Sequence, residues 1–144
     1  MPAIKELNQI LITAVSLFQT DDHMKGLPGF HSFPNNCCER AAALLAVALV
    51  RKYQESNVVL IKGRSIPKDE MHFWVEIDDF FVDPTAHQFD GIHAPLAGLR
   101  PNPLERTFTR DEVHQDVERT TDLPYNSNGR WQLALQALCG ALDA

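Results

Sequence analysis

Long hydrophobic runs are missing from this 144-residue chain, and no apolar stretch approaches the roughly 20 residues that a membrane-spanning helix needs. Cysteine is scarce: three residues, with Cys37 and Cys38 adjacent and Cys139 far away. That makes a poor disulfide framework. There is no glycine-rich phosphate loop, so nucleotide use has no support. Blocks of like charge are absent too, and the formal net charge is −6. Such a surface discourages non-specific nucleic-acid binding and does not suggest an anionic membrane as partner. Met1 to Phe18 carries Lys5 and Glu6 near its start and lacks a clean apolar stretch with a small-residue cleavage site, so it does not read as a signal peptide. These absences lead to a cytoplasmic expectation. Export by a signal-independent route, as for an effector, would leave no mark in the sequence.

What is present describes an ordinary globular protein, 44% apolar and 22% charged, of a length that fits a single domain over residues 1–144. Ile4 to Phe18 places apolar residues at Ile4, Leu7, Leu11, Ala14, Val15 and Phe18, the spacing of an amphipathic helix. Thr20 to Pro34 reads as a loop. Cys38 to Lys52 is a strong helix former, apolar nearly all round, and such a helix belongs at the centre of a fold. Val58 to Lys62, Met71 to Ile77 and Phe80 to Asp83 read as strands, the last two joined by Asp78–Asp79 as a two-residue turn. Gln88 to Pro103 is expected to be irregular. Thr109 with Glu112 three residues later is a capping-box pattern and predicts a helix to Thr121. Gly129 to Leu142 predicts a C-terminal helix. The order gives an α+β class, with a central helix packed on a small antiparallel sheet and flanked by N- and C-terminal helices.

Three features of this plan carry chemistry. Phe33-Pro34-Asn35-Asn36 resists helix, so the central helix begins at Cys37 or Cys38, where free N–H groups and the helix dipole favour a thiolate. Those N–H groups also suit a developing oxyanion, while Asn35 and Asn36 read most simply as cap residues. Alternation along Met71 to Ile77 sets Met71, Phe73, Val75 and Ile77 on the core face. His72, Trp74 and Glu76 then face the cysteine helix or a cleft beside it. With the turn at Asp78–Asp79, Ile77 pairs with Phe80, Glu76 with Phe81, Val75 with Val82 and Trp74 with Asp83. Asp83 thus lies diagonal to His72 on one face, roughly 7–8 Å between Cα atoms. Cysteine, histidine and aspartate in this order make a nucleophile, a base that becomes an acid, and a group that orients the base.

The same residues carry a resemblance. Phe33-Pro34-Asn35-Asn36-Cys37-Cys38 opening a helix, then His72-Phe73-Trp74-Val75-Glu76 and Val82-Asp83-Pro84-Thr85 ending the next strand, look like the core of the transglutaminase-like superfamily. Its members include transglutaminases, arylamine N-acetyltransferases, lasso-peptide leader peptidases and bacterial deamidase effectors, and its core resembles papain's. The match covers residues 33–89. Asn36 stands where the family has a glycine, and Phe73 where it has a small residue. The resemblance implies a thiol peptidase, deamidase or acyltransferase acting on an amide of a protein or peptide, with Cys38, His72 and Asp83 as catalytic triad. The Phe-Pro-x-x-x-Cys lead-in favours Cys38 over Cys37.

Each element also has a plainer reading. A cysteine opening a helix is often a small buried hydrophobe, Trp74 is more simply packing, and Gln88 is as readily a polar loop residue as an oxyanion donor. Cys139 reads as structural. His87 and His93 with the cysteine pair do not make a zinc site, because adjacent cysteines lack the usual chelating separation. No metal or organic cofactor is expected. The competing function is a transglutaminase-like protein-binding module in which the triad is not productive.

Overall fold

The computed structural model describes residues 2–118 and 129–143. Helix α1 (Ile4–Thr20) buries Leu7, Ile10, Leu11, Ala14 and Phe18, a three-and-four spacing along one face. Within the predicted loop the chain makes a short helix α2 (Asp22–Lys25), because the Asp21 carboxylate accepts from the N–H groups of His23 and Met24 and caps it. A 3₁₀ turn follows at Phe30–Ser32. Helix α3 (Cys38–Lys52) buries every residue from Ala41 to Leu49, and its alanines let neighbouring elements approach on all sides. Helix α4 (Arg130–Asp143) contributes Trp131, Ala134, Leu135, Leu138 and Leu142.

Five strands form one antiparallel sheet: β1 (Val58–Ser65), β2 (Glu70–Ile77), β3 (Phe80–Asp83), β4 (Leu96–Leu99) and β5 (Thr109–His114). Their order is β4-β3-β2-β1-β5, so the protein is α+β. The register of β2 on β3 is Ile77 with Phe80, Glu76 with Phe81 and Val75 with Val82, as the turn at Asp78–Asp79 requires. Asp78 takes φ +53° without a glycine, a conformation that Asp tolerates better than most residues, and its carboxylate accepts from Asn57 N–H at 3.0 Å.

Two expectations are corrected here. Thr109–His114 is a strand, not the start of a helix, and the rest of the predicted helix beyond residue 118 lies outside the described residues. Glu112 does not reach back to cap Thr109. It pairs across the sheet with Lys62, whose Nζ lies 2.8 Å from its carboxylate, so a tertiary partner overrides the local pattern. Within the stretch expected to be irregular, Leu96–Leu99 joins β3 as an edge strand. It has little strand propensity of its own and is held by pairing.

The sheet separates two cores. Phe73, Val75, Ile77 and Val82 pack with α1, α3 and α4 on one side. On the other, Trp74, Phe81, Val59 and Ile61 meet Ala86, Leu104 and Phe108 from the segment between β3 and β5. Strand β2 is therefore covered on both faces from His72 to Ile77, as befits the centre of a sheet.

Candidate active site

His72 and Asp83 lie on the second face of the sheet, away from the flank of α3. Both are fully buried, with Nε2 of His72 2.7 Å from Oδ2 of Asp83. The carboxylate is the acceptor, so the proton sits on Nε2 and Nδ1 is the nitrogen left for a second partner. Phe89 stands edge-on to the imidazole at 4.9 Å between ring centres, with Phe108 at 5.6 Å and Trp74 at 5.8 Å. This aromatic cage excludes water from the pair.

The first residue of α3 reaches this ring. Cys38 stands near enough to His72 to favour the charged form of the ring, although the body of the helix packs on the opposite face of β2. Burial alone would pull the His72 pKa down. The Asp83 carboxylate, its hydrogen bond and Cys38 together outweigh that and raise it to about 9. The surroundings thus favour the protonated ring. The two adjacent cysteines are not equivalent. Cys37 is 2% exposed and belongs to the helical core, and burial, with Cys38 beside it, pushes its thiol up to about 12. Cys38 is half-buried and free. Cys139 is half-buried on α4, lining a small cavity with Ala48, Arg51 and Leu142.

The backbone before the helix explains this split. Asn36 takes φ +63° and Cys37 is the N-cap, with no side-chain cap bond. The expectation that Asn35 or Asn36 caps α3 is thus corrected: Asn36 supplies a left-handed residue, a task for which Asn stands next to Gly. Gly29 backs the same turn. A Cβ there would come within 2.3 Å of the Asn36 carbonyl oxygen, so the loop between α2 and the 3₁₀ turn at Phe30–Ser32 is pressed against the cysteine turn.

Gln88 lies on the Nδ1 side of His72. Its amide nitrogen is 3.4 Å from that atom and 3.3 Å from the Thr85 hydroxyl. The neighbouring His87 packs edge-on to Phe33 at 5.5 Å. Its Nδ1 is buried without a partner among the described residues, and burial lowers its pKa.

Two residues of the site were not foreseen. Asn102 is buried and donates from Nδ2 to Asp83 Oδ2 at 2.9 Å. Its sequence mark, Asn before Pro103, signals a turn or cap but not a partner 19 residues away. Gly63 pairs with His72 across β1 and β2, and a Cβ on it would meet Trp74 at 2.7 Å and Phe108 at 2.9 Å. A glycine inside a strand is a general sign of such close approach.

A concavity of about 560 Å³ lined by Asp79, Leu99, Arg100, Pro101, Glu105 and Arg110 contains none of the three predicted site residues. It lies at the Glu76 end of β2, where Arg100 and Arg110 pair with the buried Glu76 carboxylate. Those charges satisfy one another. Among the described residues no group of three or more His, Cys, Asp or Glu is arranged to hold a metal ion, and no helix is long and apolar enough to cross a membrane. No protein-family model, curated protein or solved structure matches the chain.

Proposed function

We propose that this protein is a thiol enzyme that attacks an amide carbonyl through Cys38, on a papain-like or transglutaminase-like core. The observation that carries the reading is the His72 imidazole, bonded through Nε2 to buried Asp83, with half-exposed Cys38 at the start of α3 near enough to act on the ring.

The sulfur adds as thiolate to the carbonyl carbon, and the carbonyl π pair moves to oxygen. Free N–H groups of the first turn of α3, with the Gln88 amide, are the donors available for that oxyanion. Collapse re-forms the carbonyl and breaks the C–N bond, and the leaving nitrogen takes the Nδ1 proton of His72. A neutral imidazole and an acyl-thioester remain. Water or an amine then gives its proton to Nδ1 and attacks the thioester, and the thiolate departs. Asp83 stays charged and holds the ring throughout. The first half-reaction is common to a peptidase, a glutamine deamidase and a cross-linking acyltransferase, which differ in the acyl donor admitted and in the second nucleophile. A protein or peptide amide is the substrate class.

Iodoacetamide at pH 6, followed by peptide mapping, tests the reading. Cys38 should alkylate faster than free cysteine while Cys37 and Cys139 lag behind it. Reaction of Cys38 no faster than a free thiol would remove the activated nucleophile and leave the binding-module reading.

A further inference from the structure

Oδ2 of Asp83 accepts two hydrogen bonds at once, from His72 Nε2 at 2.7 Å and from Asn102 Nδ2 at 2.9 Å. Asn102 is 1% exposed. Its other amide atom, Oδ1, accepts from the Leu104 N–H at 3.0 Å, where it caps the 3₁₀ turn Pro103–Arg106. A backbone N–H can only donate, so Leu104 fixes the oxygen end of the amide and turns Nδ2 toward Asp83. The third donor, Thr85 N–H, reaches Oδ1 at 3.3 Å.

The Cβ–Cγ torsion of a carboxylate is broad, and without Asn102 it would be restrained only by His72 at Oδ2 and by the longer Thr85 bond at Oδ1. A second donor arriving at Oδ2 from another segment narrows it further. We propose that Asn102 is a positioning residue, holding the Asp83 carboxylate in the rotation that accepts a hydrogen bond from His72 Nε2–H and so leaves Nδ1 for Cys38. Its consequence for reactivity rests on the triad reading above, whereas the contact between Asn102, Asp83 and His72 does not. The segment between β3 and β5 thereby becomes part of the site. It carries Asn102 behind Asp83, with Phe89 and Phe108 against His72.

The groups that act on this pair come from several elements. Cys38 acts on His72 from α3, His87 stands within the field of Asp83 from the turn after β3, and Gly63 opposite His72 on β1 brings no charge. Two variants of the full chain separate positioning from mere support. Asn102→Ser keeps an oxygen for Leu104 N–H and removes the arm to Asp83. Asn102→Asp keeps the cap and sets a second carboxyl against Asp83 Oδ2. Two carboxyls so close share one proton, which restores a donor at acid pH and removes it at alkaline pH.

The His72 ring titration, followed by NMR, should move down by about one pH unit in Asn102→Ser, a tenfold change in the protonation equilibrium. Cys38 alkylation should slow roughly ten- to hundredfold in Asn102→Ser at every pH, the scale of a misplaced catalytic group. In Asn102→Asp it should match the unsubstituted protein at pH 5.5 and fall behind it at pH 8. A His72 midpoint that stays or rises in Asn102→Ser, with only the melting temperature changed, overturns the proposal and leaves Asn102 as a turn cap. Slow alkylation of the unsubstituted protein would count against the enzyme reading alone, because the NMR midpoint reports on Asn102 without Cys38.

Discussion

His72 Nε2 and Asp83 Oδ2 are 2.7 Å apart, and neither side chain has any exposed surface. Burial opposes charge on the imidazole, yet the carboxylate, its hydrogen bond and Cys38 raise the His72 pKa to about 9 from 6.5. A group whose pKa is higher folded than unfolded contributes stability that is whole below its unfolded value. That contribution is lost as pH climbs through the folded one. The unfolding free energy should therefore decline between about pH 6.5 and pH 9, by an amount on the order of 3 kcal/mol. Urea titrations across this window check it. Asp83→Asn should flatten the decline, because the partner that raises His72 is gone.

Cys37 and Cys38 should separate by mutation as they do by environment. Cys38→Ser should abolish both alkylation at pH 6 and acylation by p-nitrophenyl acetate with little change in stability, since that side chain is only half-buried. Cys37→Ser places a hydroxyl in the helical core and should cost about 1–3 kcal/mol, while acylation of the folded fraction survives. Equal loss of acylation in both variants would show that the backbone turn, and not the Cys38 sulfur, is what matters.

Gly63 offers a steric test. Its missing side chain makes room for Trp74 and Phe108 on the face where they cage His72. Gly63→Ala should destabilise by about 1–3 kcal/mol, the usual cost of overpacking. It should also slow Cys38 alkylation, because the rings it displaces are those in contact with His72. Calorimetry and alkylation rates on the same sample read the two effects together. A stability loss with unchanged reactivity would show that the cage is dispensable.

Much of this arrangement was legible where local chemistry and tertiary need coincide. The bounds of α3 follow from Pro34 before it and the unbroken apolar run Ala41 to Val50 within it. The β2–β3 register follows from alternation and a two-residue turn, and it alone brings Asp83 to the face of His72. Strand β5 was hidden because Thr109 and Glu112 form a helix-start pattern that Lys62 and Arg64 override from another strand. Asn102 was hidden for a related reason: its partner is distant in sequence, and no local pattern encodes such a contact. The distinction between the two cysteines depends on backbone angles at Asn36 and Cys37, which composition leaves open.

Glu76 is the other charge taken out of water on this face, 3% exposed, and it is held by Arg100 at 3.2 Å and by Arg110, with Trp74 Nε1 at 3.5 Å. The arginines keep 44% and 33% of their side-chain surface, so either can return to water if its partner disappears. The carboxylate cannot. Removing both arginines strands a buried charge and should cost about 3–5 kcal/mol. Each single Arg→Ala change should cost much less than half of that, since the other guanidinium remains. Glu76→Gln should also be the milder lesion, leaving two solvated cations and a neutral amide. A double-mutant cycle on Arg100 and Arg110 measured by chemical unfolding would detect this as strong non-additivity. Additive single losses would mean that the two guanidinium groups hold separate partners rather than sharing Glu76.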